Sequence, residues 1–220
     1  MPETHKPRRP RADDGLIIVG LVGRAGSGKS SVARAFAARG ARVLDADRAG
    51  HDVTDHDPEV REALLAEYGP AVYLDDGTLN RRLVAAMVFA SPEALARLNR
   101  LVHPRIVQRL RAELAAMVAA GFRGVVVVDA ALMLDWGFER ECDAVLAVIA
   151  PDESQRARLQ AARGWTEAEA AKRLGAQKPN AFFAAAADEV IDNRGSEAEL
   201  AAAAAQAFDR IVAAHARRTP

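Results

Sequence analysis

Residues 16–30, which read LIIVGLV-GRAGSGKS, decide the fold of this 220-residue chain. The first seven residues form an unbroken apolar run, which predicts a strand buried on both faces. The next eight match G-x-x-x-x-G-K-[ST], the phosphate-binding loop. Its glycines let backbone amides turn toward a phosphate, and the helix expected at 30–39 points its positive end at the same anion. The stretch therefore predicts a nucleoside-triphosphate site at the first strand–helix junction.

The side chains of this loop indicate how it would bind ATP. Lys29 can reach the outer phosphates, and the Ser30 hydroxyl can hold the Mg²⁺ that accompanies ATP. The chain has only four lysines among 30 basic residues, so a lysine at position 29 indicates that a compact ammonium is needed there. The expected ATP-binding positions of the loop are Gly23, Ala25, Gly26, Ser27, Gly28, Lys29, Ser30 and Ser31.

Short apolar runs alternate with alanine-rich helical stretches along the chain, which predicts an α/β fold with a parallel sheet flanked by helices. Asp57 and Ser91 each precede a proline as helix caps, and Thr166 and Ser196 each begin a capping box. The predicted strands are 16–22, 42–44, 124–128, 144–149 and 189–191.

The spacing of these elements along the sequence predicts that the chain has several structurally distinct parts. The mainly helical block between the second and third strands is too long for a simple crossover, so we expect an inserted substrate-binding lobe. The segment after the fourth strand is expected to be a helical lid, and the Pro-rich basic start a disordered tail. The predicted parts are the tail (1–14), the nucleotide-binding core (15–49, 124–150 and 188–217), the insertion (50–123) and the lid (151–187).

Composition excludes several classes of protein. Thirty basic and thirty acidic residues give no net charge, which argues against a generally basic nucleic-acid coat. The single Cys142 cannot form an internal disulfide or a Cys-rich zinc site, which fits a reducing compartment. No apolar run approaches the roughly 18–20 residues of a membrane span, and the first 14 residues lack a secretory apolar stretch. We expect a cytoplasmic protein with no membrane or nucleic-acid partner, as a monomer or weak homo-oligomer.

Acidic residues follow two of the predicted strands, where ligands of parallel sheets gather. Asp129 ends a run of four valines, the usual context for an acid that orients water around Mg²⁺. Asp47 could accept a proton from a substrate hydroxyl, whereas Asp45 would orient neighbours or metal-bound water. A helix cap or turn position is the structural alternative for each.

Arginines of the predicted lid are candidates for stabilising a migrating phosphoryl group. Arg156 and Arg158 lie on a helix expected to open at Pro151 and to continue through Arg163. The alternative is an ordinary charged face on which Glu153 and Arg156 are neighbours. That alternative is weaker for Arg158, which we take as the catalytic candidate.

Further motifs follow at intervals: 76–82 (DGTLNRR), 98–104 (LNRLVHP), Gln155-x-x-Arg158, Gln177 and 187–195 (ADEVIDNRG). With the loop and the 45–47 acids, they make the sequence resemble the dephospho-CoA kinase family over about 17–213. The resemblance implies Mg²⁺-dependent transfer of the γ-phosphoryl group of ATP to the ribose 3′-hydroxyl of dephospho-CoA. It also implies a set of roles: Asp47 as general base, Arg81, His103 and Asp135 toward the acceptor, Arg158 closing over ATP, and Asn193 near the adenine.

The sequence departs from the family's pattern in the loop and the lid. The loop reads Gly-Arg-Ala-Gly in place of Gly-Gly-Ile-Gly, and Ala131 and Asp135 stand where the family has proline and glutamate. Ala162 replaces a lid arginine, with Arg163 one place later, and Phe183 replaces a basic residue. These changes leave the lid's details and the acceptor's identity open. His103 has its own alternative, a helix-start residue before Pro104.

Other functions would explain fewer of the sequence motifs. A different small-molecule or nucleoside-monophosphate kinase would share the loop and lid but leave the His-Pro and Ile-Asp-Asn elements unexplained. A GTP switch would carry an Asn-Lys-x-Asp string, which the chain lacks, and a silent kinase would have lost Lys29 or Asp47. A nucleic-acid partner would require basic–aromatic clustering, which is not found.

Overall fold

The computed structural model describes residues 14–88 and 91–217. Its strands form one five-stranded sheet in the order β2-β3-β1-β4-β5, with parallel pairing of β1 to β3, β1 to β4 and β4 to β5. The strands are β1 (Leu16–Val22), β2 (Arg42–Asp45), β3 (Gly124–Asp129), β4 (Ala144–Ile149) and β5 (Glu189–Asp192). The predicted fold class and all five predicted strands are confirmed, and the predicted tail lies outside the described residues except for Asp14.

Ten α-helices lie within the described ranges, and the predicted caps occur at four of them. Asp57 accepts the amides of Glu59 and Val60, and both capping boxes are complete. The helices are α1 (Lys29–Ala38), α2 (Ala46–His56), α3 (Pro58–Tyr68), α4 (Arg81–Val88), α5 (Pro92–Ala119), α6 (Met133–Trp136), α7 (Asp152–Arg163), α8 (Glu167–Gly175), α9 (Asn180–Ala186) and α10 (Glu197–Ala216). None of these helices is both long enough and apolar enough to cross a membrane.

The described part of the chain divides into two compact units, one within Asp45–Ala119 and the other made of the remaining described residues. In the larger unit, β1, β3 and β4 supply the most deeply buried side chains, as expected for strands covered on both faces. α1 and α10 cover the sheet together, and Phe36 meets Phe208 edge to face with ring centroids 5.2 Å apart. This packing fixes the start of α1, and with it the loop that follows β1.

The smaller unit is helical, with α2 packed on α5. α5 runs for 28 residues and contains Pro104, so the alternative that His103 starts a helix is wrong. A proline inside a helix costs about 3 kcal/mol. Buried side chains along one stripe of α5 outweigh that cost, among them Val102, Ile106 and Leu110.

Candidate active site

The loop that joins β1 to α1 has the backbone shape that its glycines permit. Gly28, the N-cap of α1, has φ of 110°, and no side chain caps this helix end. Gly23 has φ of 141°, and a Cβ there would lie 2.3 Å from the Val148 carbonyl oxygen. The loop therefore passes directly against β4 and presents the positive end of α1, as an anion site requires.

Lys29 and Ser30, the loop residues predicted to bind the phosphates and Mg²⁺, are the first two residues of α1. Lys29 Nζ donates to the carbonyl oxygens of Gly23 at 3.0 Å and Arg24 at 3.4 Å, which holds the ammonium over the loop. Ser30 is exposed and available to a ligand. Ser31 is half-buried, and its hydroxyl accepts a hydrogen bond from Arg34 at 2.9 Å.

Two predicted ligands of ATP contact the same loop from later in the chain. Arg158, on α7, donates to the carbonyl oxygens of Gly26 at 3.2 Å and Ser27 at 3.3 Å. Asn193, which follows β5 and is 4% exposed, donates from Nδ2 to the Ser27 oxygen at 2.8 Å. The structure thus brings Arg158 and Asn193 together on the loop, although they are far apart in sequence.

Contacts of residues 24 and 25 with the lid segment were not foreseen from sequence. The Ala25 amide donates to Gln177 Oε1 at 2.9 Å, so this amide of the predicted ATP set is already bonded within the protein. The Arg24 guanidinium is 6% exposed and bonds to Asp152 and to the Leu174 carbonyl. The departure of the loop from the family pattern at position 24 was the only signal of this contact.

The residues expected near Mg²⁺ suit that ion. Asp129 ends β3 opposite Leu21 of β1, two residues before the loop, and is half-buried. The described residues hold no cluster of three or more His, Cys, Asp or Glu side chains able to bind a metal. Mg²⁺ in kinases is held by substrate phosphates, waters and one or two protein groups, so Ser30 and Asp129 are a sufficient donor set.

Of the departures in the predicted lid, the structure explains Phe183 but not Ala162. Phe183 is 4% exposed and meets Phe182 edge to face, so it belongs to the core of α9. Ala162 and Arg163 are both exposed near the end of α7. Arg156 forms an ion pair with Glu167 at 2.7 Å, so the charged-face alternative holds for it, with a partner other than Glu153.

In the smaller unit, Asp45 and Asp47 occupy different positions at the start of α2. The Asp45 carboxylate accepts the Arg48 amide at 3.0 Å and caps α2, which is the structural alternative weighed for it. Asp47 lies in the first turn of α2, where its side chain is exposed. Asp47 is therefore not the residue that caps the helix.

Arg81 is anchored by an acid that sequence analysis did not identify. It forms an ion pair with Asp55 at 2.8 Å, with side-chain exposures of 36% and 11%. Burial by itself raises the pKa of Asp55, but the hydrogen bonds from Arg81 and the Leu79 amide and the charge of Arg81 together hold that pKa below its usual value. Of the other predicted acceptor residues, His103 is half-buried in α5, and Asp135, in the larger unit, is exposed in α6.

Known proteins resemble this chain over almost its whole length. A family model described as dephospho-CoA kinase matches residues 17–199. The dephospho-CoA kinase of Thermobifida fusca is 38% identical over 196 residues, which cover 89% of this chain and 96% of that protein. The dephospho-CoA kinase of Corynebacterium efficiens is 36% identical over 198 residues, which cover 90% of this chain and 96% of that protein.

Solved structures agree with the fold. A crystal structure of a Thermus thermophilus protein superposes with a TM-score of 0.74 at 31% identity, over 90% of this chain and 97% of that one. The dephospho-CoA kinase of Campylobacter jejuni has a TM-score of 0.65 at 19% identity, over 89% and 97%, and supports the fold alone. The family model and the relatives support the resemblance read from the motifs: this chain belongs to the dephospho-CoA kinase family.

Proposed function

We propose that this chain transfers the γ-phosphoryl group of ATP to the ribose 3′-hydroxyl of dephospho-CoA, giving CoA and ADP. The match of the family model over residues 17–199 carries the proposal, together with relatives of that name that are 34–38% identical. The alternative, a kinase of another small molecule, finds no such support. The hydroxyl oxygen forms a bond to the γ-phosphorus, the bond from that phosphorus to the β–γ bridging oxygen breaks, and ADP leaves.

The loop binds and orients the triphosphate in this proposal. Backbone amides at the start of α1 and the Lys29 ammonium face the phosphate charge, and Lys29 exchanges its carbonyl acceptors for phosphate oxygens. Arg158 neutralises charge on the migrating group, supported by its contacts with the loop. Asn193 fixes the loop by its bond to Ser27 and borders the nucleoside.

Ser30 and, through water, Asp129 are the residues that would hold Mg²⁺ with the ATP phosphates. When bound, the ion supplies positive charge that stabilises the phosphate oxygens during transfer. Asp129 stands at the end of β3, where pairing with β1 fixes its backbone, and would orient a water between its carboxylate and the ion. Ser30 stands on the first turn of α1, which the core packing of that helix fixes in place.

We assign Arg81 and His103 of the smaller unit to the acceptor and the closing motion to the lid. The family motifs that contain Arg81 and His103 lie within Asp45–Ala119. Arg81 already has its guanidinium oriented by Asp55, so it is prepared for an anionic group. Asp135 is the remaining acceptor-side candidate. Closure of the lid, 151–187, excludes water that would compete as the acceptor.

Asp47 takes the proton of the 3′-hydroxyl. Its exposed carboxylate is not used to cap α2, since Asp45 does that. The matched pair Asp47→Asn and Asp45→Asn tests the role, because asparagine caps helices as well as aspartate does. We expect Asp47→Asn to lower kcat by about 10²–10⁴-fold, the usual contribution of a general base, while the ATP affinity stays the same. An equal loss of kcat in both variants, or a loss of ATP binding alone, contradicts the assignment.

The activity itself is tested by ADP release from ATP and Mg²⁺, with and without dephospho-CoA. Adenosine, AMP and dCMP serve as competing acceptors, and Lys29→Ala is the blank. We expect dephospho-CoA, and none of the other acceptors, to stimulate ADP release strongly. Lys29→Ala should show no stimulation. Equal or stronger stimulation by another acceptor refutes the proposed substrate.

A further inference from the structure

We propose that Arg24 is a positioning residue that couples the lid to Lys29 and so sets the affinity of the loop for the triphosphate. The inference rests on the proposed function for its setting, but ATP binding alone can test it. Arg24 would not touch the substrate. It acts through the backbone of the loop, which carries the residues that do.

The Arg24 side chain joins the loop to two lid helices. Its two terminal nitrogens donate to Asp152 Oδ1 at 2.6 Å and to the Leu174 carbonyl oxygen at 2.7 Å. Asp152 is the first residue of α7, and Leu174 is the penultimate residue of α8. A planar guanidinium can hold both acceptors at once, whereas an ammonium lacks this fixed fork. One side chain therefore ties the loop to the start of α7 and the end of α8.

The main chain of the same residue contacts the machinery of the loop. The Arg24 carbonyl accepts the Ser27 amide at 3.3 Å and Lys29 Nζ at 3.4 Å. Displacement of residue 24 therefore moves an acceptor of the Lys29 ammonium. It also disturbs the turn from residue 24 to residue 27, which helps to set the direction of the loop amides. Movement of the start of α7 or the end of α8 therefore reaches this acceptor of Lys29 through Arg24, whereas the contacts of Arg158 lie at Gly26 and Ser27.

Burial of the Arg24 guanidinium makes it dependent on its two hydrogen-bond acceptors. Arg24 is 6% exposed, and its Nε has no hydrogen-bond partner among the described residues. A buried charge is tolerated only where it is paired, so the guanidinium depends on its two acceptors. The ion pair of Arg156 with Glu167 provides a contrast, because it also joins α7 to α8 but lies at the surface and does not involve the loop.

The test compares Arg24→Met with Arg156→Met, since both lose a guanidinium that bridges the same helices. ATP affinity is measured by calorimetry without an acceptor, and KM and kcat are then measured for ATP and dephospho-CoA. We expect Arg24→Met to weaken ATP binding by about tenfold, the equivalent of one charge-assisted hydrogen bond. KM for ATP rises with it, KM for dephospho-CoA is unchanged, and Arg24→Lys recovers only part of the loss. Arg156→Met stays within about twofold of the parent protein, as expected of an exposed pair.

Three outcomes overturn the proposal: unchanged ATP affinity in folded Arg24→Met, an equal loss in Arg156→Met, or full recovery by Arg24→Lys. Should Arg24→Met fail to show a thermal unfolding transition, Asp152→Asn decides, because it keeps Arg24 and removes its charged partner. That variant is expected to lose about threefold in ATP affinity, the size of a partly exposed pair, and parental affinity would refute the coupling. ATP binding without phosphorylation of dephospho-CoA would refute the proposed function and leave this comparison intact.

Discussion

Replacing Arg81 by methionine would leave Asp55 as a nearly buried carboxylate without its cationic partner. Asp55 is 11% exposed, and Arg81 bonds to it at 2.8 Å. Methionine keeps much of the apolar stem and removes the guanidinium. Breaking a fully buried pair costs about 3–5 kcal/mol. Because Arg81 is 36% exposed and its charge is partly screened, we expect a loss of about 2 kcal/mol in the free energy of unfolding at neutral pH.

The sign of the pH dependence follows from the pKa of Asp55. In the parent protein that pKa is lowered from 3.8, so its contribution to stability is present above 3.8 and is lost only as pH falls through the lower, folded value. Without Arg81, two of the influences that lower the pKa of Asp55 are lost while burial still raises it, so the pKa rises above its parental value. Between the parental and the raised pKa, the folded parent is ionised where the folded variant holds a proton. The difference in stability between parent and variant must therefore grow as pH rises through this interval.

Urea unfolding of the parent and of Arg81→Met at several pH values between about 3 and 7 measures this difference. Arg97→Met is the control, since Arg97 pairs with Glu67 in the same unit at side-chain exposures of 50% and 34%. We expect the control to lose less than about 1 kcal/mol. A stability difference for Arg81→Met that is constant with pH, or that shrinks as pH rises, refutes the reasoning about Asp55.

Three further substitutions and one control test the loop, the cap of α10 and the core. Gly26→Ala places a Cβ 2.7 Å from the Gln155 carbonyl at φ of 73°, and we expect kcat/KM for ATP to fall by about 100-fold, as for a misplacement of roughly 1 Å. Gly40→Ala is the control, because Gly40 also has a positive φ, 91°, but a Cβ there would meet no atom within 4 Å. It introduces the same type of backbone strain away from the loop and should keep parental activity. Ser196→Ala removes the cap of α10 and should cost about 1 kcal/mol, seen as a small decrease in Tm. Phe36→Ala should cost about 3–5 kcal/mol in urea unfolding, because Phe36 is 1% exposed; a loss below 1 kcal/mol would contradict the described core.

Features that depend on neighbouring residues in sequence were predictable. The loop and its flanking elements come from one stretch, 16–38, in which residue type dictates backbone shape. Helix caps such as Asp57 and Thr166 act on amides within three residues, so their partners are visible in the sequence. Continuous apolar runs identified β1, β3 and β4, because a doubly covered sheet buries both faces of its central strands. The edge strands β2 and β5 bury only one residue each, Leu44 and Ile191.

Features that depend on distant partners were not predictable. Arg24 finds its acceptors 128 and 150 residues later, and its departure from the family pattern does not say which residues they are. The Asp55–Arg81 pair spans 26 residues and forms only when the start of α4 packs near α2. Pro104 was misleading for the same reason, since local preference disfavours a helix there and tertiary burial of α5 overrides it.

The central claim is tested most directly by following labelled phosphate from γ-labelled ATP into dephospho-CoA and into its 3′-deoxy analogue, with Mg²⁺ present. The account predicts that dephospho-CoA takes up label in a one-to-one ratio with ADP formed, that the 3′-deoxy analogue takes up none, and that Lys29→Ala transfers none to either. Label on the 3′-deoxy analogue, or ADP formed without labelled CoA, would contradict the claim that this chain phosphorylates the ribose 3′-hydroxyl.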